Sequence, residues 1–300
     1  MSFSGTVKEE LAEHISTARH CQLAELAALI QFGGRTDKER KHLLFEAENE
    51  AVERKYFTLL RKTFNIEAIM YEKDGRIPDD AAQEKLVRAL YLAGEDGDIL
   101  ELGRPVNALL IKNTCCARAY LRGAFLCVGS MSDPEKSYHL EFVCGNREQA
   151  QQLRDVIQEF QIEAKIIKRK KYDVVYLKEG SGIVDLLNVM EAHVSLMNLE
   201  NLRIVKEMRN SINRRVNCET ANISKTVTAA SKQIEDIVLI RDKYGFENLP
   251  ENLRQMAEVR LEYPDAALKE LGEYLDPKVG KSGVNHRLRR LGEIADRIRF

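Results

Sequence analysis

The sequence has no hydrophobic run that could cross a membrane. A spanning helix takes ~18 or more consecutive apolar residues, and no stretch of the 300 residues approaches that length. The first residues, MSFSGTVKEELAEH, are polar and acidic, unlike the basic and apolar start of a signal peptide. These absences predict a soluble, cytoplasmic protein without a membrane partner.

The sequence also lacks a strong net charge. Its 46 Lys and Arg residues nearly balance its 47 Asp and Glu residues, and the formal net charge is −1. Binding to nucleic acid would therefore depend on local basic clusters, because the chain as a whole does not attract phosphate. With 44% hydrophobic residues, the chain can form about two or three domains with proper cores.

The cysteines are not spaced as in known metal sites. The six of them form no Cys-x-x-Cys pair and no His/Cys ligand spacing, so the sequence predicts no metal site and no cofactor. Reduced cysteines in apolar segments act as small hydrophobic residues. The adjacent pair Cys115–Cys116 leaves redox activity open, although reduced structural thiols are expected in a cytosolic chain.

What the sequence does contain is an internal repeat. LAALIQFGG, at residues 26–34, precedes HLLFEAENEAVERKYFTLLRKTFNIEA, and LRGAFLCVGS, at residues 121–130, precedes HLEFVCGNREQAQQLRDVIQEFQIEA. Leu26 recurs as Leu121 after 95 residues, and Phe45 recurs as Phe142 after 97. Such agreement at separated positions indicates a duplication with small changes in loop length.

Each copy begins with a helix that is rich in small residues. Ala27, Ala28 and Gly123 would allow two helix backbones to approach closely, so we predict that the two leading helices pack together. Each copy then predicts a short strand, an amphipathic helix opened by a capping asparagine, and either a strand (IEAIMYEK) or a hairpin (IEAKIIKRKKYDVVYLK). Residues 74–98 depart from the repeat and predict a turn, a helix and an acidic loop.

This arrangement resembles the LAGLIDADG homing endonucleases over about residues 20–190. In that family the paired helices form the interface between the halves, and an acid at each helix end holds divalent metal over DNA on a β-saddle. The resemblance aligns Gly33 and Val128 with the metal-binding acids of the family. It aligns Gln31 and Leu126 with the second acidic position of the motif. Glycine and valine cannot hold Mg²⁺, so the resemblance implies a scaffold without catalytic residues.

An active nuclease is a disfavoured alternative, and it would depend on two carboxylates near the ends of the leading helices. Asp37 and Asp133 lie 96 residues apart, in the turns that follow the leading helices. Turn formation is their expected role, as in SDPE, where Asp133 precedes a proline.

The predicted hairpin of the second copy is strongly basic. Such a hairpin can follow DNA phosphates independently of base sequence, and a solvated turn is an equally good interpretation. Its candidate DNA-binding residues are Lys168, Arg169, Lys170 and Lys171.

After Gly182 the pattern becomes helical. One apolar stripe is predicted to join the core, and it consists of Ile183, Leu186, Leu187, Met190, Val194 and Met197. Between Arg203 and Arg215, five basic residues and one acid alternate with asparagines, a mixture that suits contacts with phosphates and base edges. The candidate DNA-binding residues of this helical linker are Arg209, Asn213, Arg214 and Arg215.

Residues 246–300 predict three helices with the apolar spacing of a helix-turn-helix domain. Lys278 to Arg290 contains five basic residues and no acid, although the whole segment has ten of each sign, and this segregation favours a DNA-binding face. The outer, N-terminal part of the third helix would contact base edges through Lys281, Ser282, Asn285, His286 and Arg289. Two further arginines would lie nearer the DNA backbone, Arg287 and Arg290.

The order of these parts is similar from end to end to the WhiA family of sporulation and cell-division regulators of Gram-positive bacteria. The linker string EMRNSINRRVNCETANISKT and the ending GKSGVNHRLRRL are distinctive. The resemblance implies a non-enzymatic transcription regulator that binds double-stranded DNA, associates with the nucleoid and is linked to cell division, chromosome segregation and sporulation.

The predicted fold class is α+β, with a pseudo-symmetric, duplicated LAGLIDADG-like αββαββ domain, a helical linker and an all-α helix-turn-helix domain. The expected divisions are two repeats at 1–95 and 96–197, the linker at 198–245 and the last domain at 246–300. A nucleoid-localised scaffold, whose N-terminal domain docks regulatory or division proteins, is the alternative function. A monomer is expected, since the duplication already supplies a pseudo-twofold axis.

Overall fold

In a computed structural model that describes residues 2–47, 49–66, 77 and 80–299, the chain divides into two units. They are Met1–Lys206 and Glu207–Phe300. Among the described helices, none is both long enough and apolar enough to cross a membrane.

The first unit contains both copies of the sequence repeat. The elements of the first copy are α1 (Phe3–Glu13), α2 (Arg19–Gly33), β1 (Gly34–Thr36), β2 (Leu43–Phe45), α3 (Glu50–Phe64) and α4 (Asp80–Ala89). Those of the second are α5 (Ala108–Ile111), α6 (Thr114–Val128), β3 (Gly129–Met131), β4 (Leu140–Cys144), α7 (Arg147–Glu159), β5 (Lys165–Arg169), β6 (Tyr172–Leu177) and α8 (Gly180–Val189).

The second copy shows the predicted αββαββ order from α6 to β6. Its four strands form an antiparallel sheet in the order β3-β4-β6-β5, and β1 pairs with β2 in the first copy. Both predicted caps are present, since Oδ1 of Asn49 accepts from the amide of Ala51 and Oδ1 of Asn146 accepts from the amide of Gln149. The strand predicted in IEAIMYEK lies outside the described residues except for Ile66, whereas α4 confirms the helix predicted in the divergent segment.

Helices α2 and α6 pack against each other at very short range, as their small residues predicted. A Cβ atom added to Gly123 would lie 2.7 Å from the carbonyl oxygen of Glu25 and 2.8 Å from Cβ of Ala28. Real Cβ atoms do not approach backbone this closely, so only glycine fits at position 123. The two halves are therefore in backbone contact at this position.

Gly123→Ala is expected to destabilise the first unit by about 1–3 kcal/mol, because the added methyl group must push α2 and α6 apart. Urea denaturation followed by circular dichroism measures the change. Gly182→Ala is the matched control, since its Cβ would make only ordinary contacts at 3.4 Å with Leu177 and 3.7 Å with Ile162. Equal stability of the two variants would contradict the tight packing of these helices.

A cluster of charged side chains is buried beside the α2–α6 contact. The carboxylate of Glu25 lies 2.9 Å from Nζ of Lys55 and 2.9 Å from Nε of Arg122, and all three side chains are at most 2% exposed. Arg122 also pairs with Glu191, and Nζ of Lys55 donates to the carbonyl oxygens of Leu11 and His14. Burial lowers the pKa of Lys55. Burial also tends to lower the pKa of Arg122, but Glu25 and Glu191 together outweigh it and raise that pKa.

The helix that follows α8 corrects the predicted apolar stripe. The stripe is buried up to Met190, but the chain leaves the helix at Glu191, where φ is 67°. A new helix, α9 (His193–Lys243), then begins, and it does not continue the apolar face of α8. Val194 and Met197 are 64% and 59% exposed. The prediction that these two residues join the core is therefore wrong.

The second unit has the three helices predicted at the C-terminal end. After α9, which ends before Gly245 (φ 82°), they are α10 (Glu251–Glu262), α11 (Leu268–Glu273) and α12 (Lys281–Arg299), with a 3-10 turn at Phe246–Asn248. The apolar side chains of α11 and α12 lie in one core, as the apolar spacing of a helix-turn-helix domain predicts. The core that they share with the end of α9 consists of Ile237, Ile240, Leu249, Leu253, Met256, Ala257, Leu271, Leu275, Val284, Leu288, Leu291 and Ala295.

Candidate nucleic-acid interface

Helix α12 separates its apolar residues from its polar ones. Val284, Leu288 and Leu291 recur at helical spacing and are buried in the core of the second unit. The remaining positions of its first turns face outward, and the exposed side chains among them are Lys281, Ser282, Asn285, His286, Arg289 and Arg290. The core therefore fixes which side of the helix is presented to a ligand.

The polar side chains of α12 differ in what they already bind. Arg289 and Arg290 lie 3.7 Å and 2.7 Å from the carboxylate of Glu293, and the half-buried Arg287 donates to the carbonyl oxygen of Asn252 at 3.4 Å. Within the described part of the chain, the side chains of Lys281, Ser282, Asn285 and His286 make no hydrogen bond or ion pair. The first two turns of α12 thus present donors and acceptors that are available to a ligand.

The connection between α10 and α11 is held by contacts of its own. Nη1 of Arg260 donates to the carbonyl oxygen of Ala266 at 2.8 Å, and burial lowers the pKa of this arginine. The rings of Tyr263 and Tyr274 stack with centroids 4.3 Å apart. These contacts fix α11 relative to α10 and so set the position from which α12 begins.

The candidate residues of the linker all lie on α9 and are exposed. Arg209 and Asn213 are four residues apart and therefore lie on the same side of the helix. Arg214 donates to the carbonyl oxygen of Asn210 at 3.3 Å, and Arg215 pairs with Glu219 at 3.1 Å. The linker is one continuous helix here, so these four side chains do not converge on a single point.

The basic hairpin is present, formed by β5 and β6, but its cations point in different directions. Successive residues of a strand face opposite sides of the sheet, so Lys168 and Arg169 cannot share a face. Lys168 donates to the buried Asp173 at 2.8 Å, and Arg169 makes two hydrogen bonds, of 2.9 and 3.1 Å, to the carboxylate of Glu141. The sequence pattern did not predict that these two cations are already paired.

The pKa values of the acids reflect this pairing. The hydrogen bond from Lys168 lowers the pKa of Asp173. Burial tends to raise the pKa of Glu141, but hydrogen bonds from Arg169 and His139 outweigh it and leave that pKa below its ordinary value. The two lysines of the turn itself, Lys170 and Lys171, are exposed, and Nζ of Lys171 lies 5.2 Å from the centroid of the Tyr172 ring.

Gly33 and Val128, the positions at which the resemblance to the LAGLIDADG family predicts metal ligands, lie at the C-terminal ends of α2 and α6. A Cβ atom on Gly33 would lie 2.9 Å from the ring of Phe45 and 3.1 Å from Sγ of Cys127, so an aspartate there would collide with both side chains. Gln31 accepts from the hydroxyl of Tyr120 at 2.8 Å, and Leu126 is buried.

The cavity between the C-terminal ends of α2 and α6 is lined by polar as well as apolar residues. Among its described lining residues the single acid is Glu46, which pairs with Arg35 at 2.9 Å. One carboxylate already bound to an arginine is a poor ligand set for a divalent metal, because hard cations need several free oxygen ligands.

Asp37 and Asp133 act within their own turns, as expected. Asp37 accepts from the backbone amides of Lys41 and His42 and lies 2.7 Å from Nδ1 of His42, which lowers the pKa of Asp37. Oδ1 of Asp133 accepts from the amide of Glu135 at 3.0 Å.

The search for metal-ligand spacing in the sequence missed one cluster of histidine and cysteine side chains. His20, Cys21, Cys115 and Cys116 come together at the N-terminal ends of α2 and α6, with their potential ligand atoms all within 4.8 Å of one another. The signal that could have found it is the repeat, since His20 and Cys21 precede Cys115 and Cys116 by the same 95 residues that separate Leu26 from Leu121.

Comparison with known proteins places these features in one family. Family models match three parts of the chain: the WhiA N-terminal LAGLIDADG-like domain at residues 19–76, the WhiA LAGLIDADG-like domain at 117–209 and the WhiA C-terminal HTH domain at 212–295.

Curated relatives and a solved structure agree with those matches. The chain is 54% identical to the "Probable cell division protein WhiA" of Lachnoclostridium phytofermentans over 312 residues, which cover 100% of both chains. It is 49% identical to the protein of the same name from Alkaliphilus oremlandii, over 99% of this chain and 98% of the relative. The crystal structure of full-length DUF199/WhiA from Thermatoga maritima matches 99% of each chain with a TM-score of 0.59 and 27% identity.

Proposed function

This chain belongs to the WhiA family, and we propose that it is a sequence-specific DNA-binding regulator of transcription whose LAGLIDADG-like part binds without cutting. The relatives are named as probable cell division proteins. We extend the proposal to a role in cell division, chromosome segregation or sporulation, with the protein in the cytoplasm and associated with the nucleoid.

The exposed N-terminal part of α12 is the observation that carries this proposal. A recognition helix contacts base edges through the residues of its first turns. Lys281 and Arg289 are suited to guanine, and Asn285 is suited to adenine through paired hydrogen bonds. Because the side chain of Asn285 is exposed and has no partner in the described part of the chain, it can be used for recognition without breaking an internal contact.

The basic residues elsewhere are proposed to hold phosphates. Lys170 and Lys171 at the hairpin turn are exposed and suited to sequence-independent contacts. Lys168 and Arg169 would first have to leave Asp173 and Glu141. On α9, Arg209 and Asn213 share one side of the helix and could follow one DNA strand, with Arg214 and Arg215 on neighbouring sides.

The family and its degenerate LAGLIDADG-like domain suggest a regulatory, non-enzymatic protein, and we propose that this chain does not cleave DNA. A two-metal or single-metal nuclease needs carboxylates that bridge the metal and the phosphate. Gly33 and Val128 supply none, and a carboxylate side chain at position 33 would require Phe45 and Cys127 to shift.

A protein-docking scaffold is the second candidate function, favoured by the pairing of the hairpin cations. Two of its four basic side chains are engaged with acids, which leaves less free positive charge for DNA than the sequence implied. In this case the first unit would bind regulatory or division proteins, and the second unit would hold the chain on the chromosome. We propose a monomer in either case, since α2 and α6 form the pseudo-twofold contact within one chain.

Comparing two variants of the full-length chain tests the leading proposal. The preferred site is first selected from a random-sequence duplex library, and affinities are then measured by fluorescence anisotropy at several salt concentrations. Asn285→Ala is expected to reduce discrimination between the selected site and its single-base variants by about 1–3 kcal/mol. Lys171→Ala is expected to weaken binding to all duplexes alike and to reduce the salt slope by about 1.

Lys62→Ala, at an exposed position on α3, is the control for removal of a positive charge. The same complexes incubated with Mg²⁺ are expected to contain only intact DNA strands. Unchanged affinity, discrimination and salt slope in both test variants would contradict DNA recognition by these surfaces. If Asn285→Ala reduces discrimination but Lys171→Ala leaves affinity and salt slope unchanged, the scaffold role of the first unit would be favoured.

A further inference from the structure

Four side chains of metal-binding type meet at the N-terminal ends of α2 and α6. Nδ1 of His20 lies 3.2 Å from Sγ of Cys116, 3.3 Å from Sγ of Cys21 and 3.8 Å from Sγ of Cys115. All four potential ligand atoms lie within 4.8 Å of one another. The cluster is at the opposite end of the two helices from Gly33 and Val128, and it uses a different set of residues.

The three distances from Nδ1 of His20 are close to the spacing of ligand atoms around a tetrahedral metal ion. Zinc with Zn–S and Zn–N bonds of about 2.3 and 2.0–2.1 Å places neighbouring ligand atoms about 3.5–3.8 Å apart. An imidazole nitrogen has one hydrogen-bonding direction, so Nδ1 of His20 cannot hydrogen-bond with three sulfur atoms at once. A cation at the centre of the four atoms satisfies all of them together.

The cluster follows the internal symmetry of the fold. His20 and Cys21 are the second and third residues of α2, and Cys115 and Cys116 are the second and third residues of α6. Each repeat thus contributes one exposed ligand (His20 or Cys115) and one buried ligand (Cys21 or Cys116). The exposed pair gives a metal ion access, and the buried pair is enclosed by the small side chains of Ala18, Ala24 and Ala119.

Burial raises the pKa of Cys21 and Cys116, so a metal ion would itself have to displace their protons, and the position of the cluster on the two helices assists this. Both pairs lie in the first turn of a helix, where the helix dipole and the free backbone amides stabilise negative charge. Three thiolates and one imidazole form the Cys₃His ligand set of closed, structural zinc sites, and there is no carboxylate in the cluster that would favour a harder cation.

We propose that His20, Cys21, Cys115 and Cys116 bind one Zn²⁺ ion that joins the N-terminal ends of α2 and α6. Binding would release the protons of the three thiols to solvent and leave no open position on the metal, so the role is structural. The ion would hold the two repeats together at one end of their shared interface, where the other end has lost its metal ligands.

Metal analysis of the full-length protein tests this proposal. The chain purified under reducing conditions is expected to contain about one zinc per molecule that resists dialysis against a weak chelator. After removal of zinc, addition of Co²⁺ is expected to give the visible ligand-field bands and the near-ultraviolet charge-transfer band of tetrahedral thiolate coordination. Zinc is also expected to raise the melting temperature of the metal-free chain.

Two variants test whether the bound zinc and the cobalt spectrum come from this cluster. Cys115→Ser and His20→Gln change exposed ligands and leave the core intact, and each is expected to weaken zinc binding by about 100-fold or more. Cys218→Ser is the matched control, because Cys218 is an exposed cysteine on α9 outside the cluster, and it is expected to retain the metal and the cobalt spectrum.

Three results would overturn the proposal. The first is the absence of both zinc and the cobalt spectrum in a folded, reduced chain. The second is full retention of the metal in both Cys115→Ser and His20→Gln. The third is a disulfide among Cys21, Cys115 and Cys116 in the purified chain, seen as a mass decrease of two hydrogens, with no affinity for zinc after reduction.

Discussion

Replacing Glu25 by glutamine is expected to lower the free energy of unfolding of the first unit by about 3–5 kcal/mol, since it breaks a buried ion-pair network. Glu25 lies between Lys55 and Arg122, with no exposure of its own side chain. Glutamine keeps the size and one oxygen acceptor but removes the negative charge. Among the described ion pairs, Arg122 would then keep the pair with Glu191, which is 30% exposed, and Lys55 would keep only its hydrogen bonds to the carbonyl oxygens of Leu11 and His14.

Hydrogen exchange followed by mass spectrometry measures the effect unit by unit. Glu25→Gln is expected to speed exchange in α2, α3 and α6 and to leave α10–α12 unchanged. Glu84→Gln is the matched control, because Glu84 pairs with Arg88 at the surface, where both side chains are more than half exposed. Exposed pairs of this kind contribute about 0–1 kcal/mol.

Measuring the same substitution in an Arg122→Met chain distinguishes a loss of ion pairing from a loss of packing. If the cost of Glu25→Gln comes from unpaired buried cations, it should become smaller in an Arg122→Met chain, in which one of the two cations is gone. Coupling between the two sites would appear as a deviation from additivity. Additive effects, or equal stability of Glu25→Gln and Glu84→Gln, would contradict a network held by charge.

The parts of the fold that were predictable are those set by local pattern or by the repeat. The 95-residue offset identified α2 and α6 as partners, and Gly123 marked their close contact. Asn49 and Asn146 marked the starts of two helices, since a capping side chain bonds to the backbone next to it. The separation of apolar and basic residues in α12 predicted which face is exposed.

The parts that were not predictable depend on partners far away in the sequence. Nothing next to Glu25 or Arg122 indicates that these charges are buried, because their partners come from distant parts of the chain. Lys55 is 30 residues from Glu25, and Glu191 is 69 residues from Arg122. The partners of Lys168 and Arg169 depend on strand alternation and on a neighbouring strand. The exposure of Val194 depends on the break between α8 and α9, where Glu191 has a positive φ.

Gly272→Ala is expected to disrupt the helix-turn-helix and to abolish DNA recognition while leaving the first unit folded. A Cβ atom at this position of α11 would lie 1.9 Å from the carbonyl oxygen of Val279 and 3.2 Å from Cγ2 of Val284. The first contact is with backbone, which a change of rotamer cannot relieve. The turn between α11 and α12 would have to move, and the amide of Val279 would lose its hydrogen bond to the carbonyl oxygen of Gly272.

The expected loss of stability is about 1–3 kcal/mol or more, confined to the second unit. Exchange should become faster in α10, α11 and α12 but not in α2 or α6, and affinity for the selected DNA site should fall to the level of unrelated duplexes. Gly280→Ala is the control for stability, since its Cβ would meet nothing within 4 Å. Its expected effect is a change of about 1 kcal/mol or less, because the lower entropy of the unfolded chain and the poorer capping of α12 by alanine act in opposite directions. If Gly272→Ala unfolds no more easily than Gly280→Ala, α12 is not positioned by this turn, and the recognition surface proposed for it would need another support.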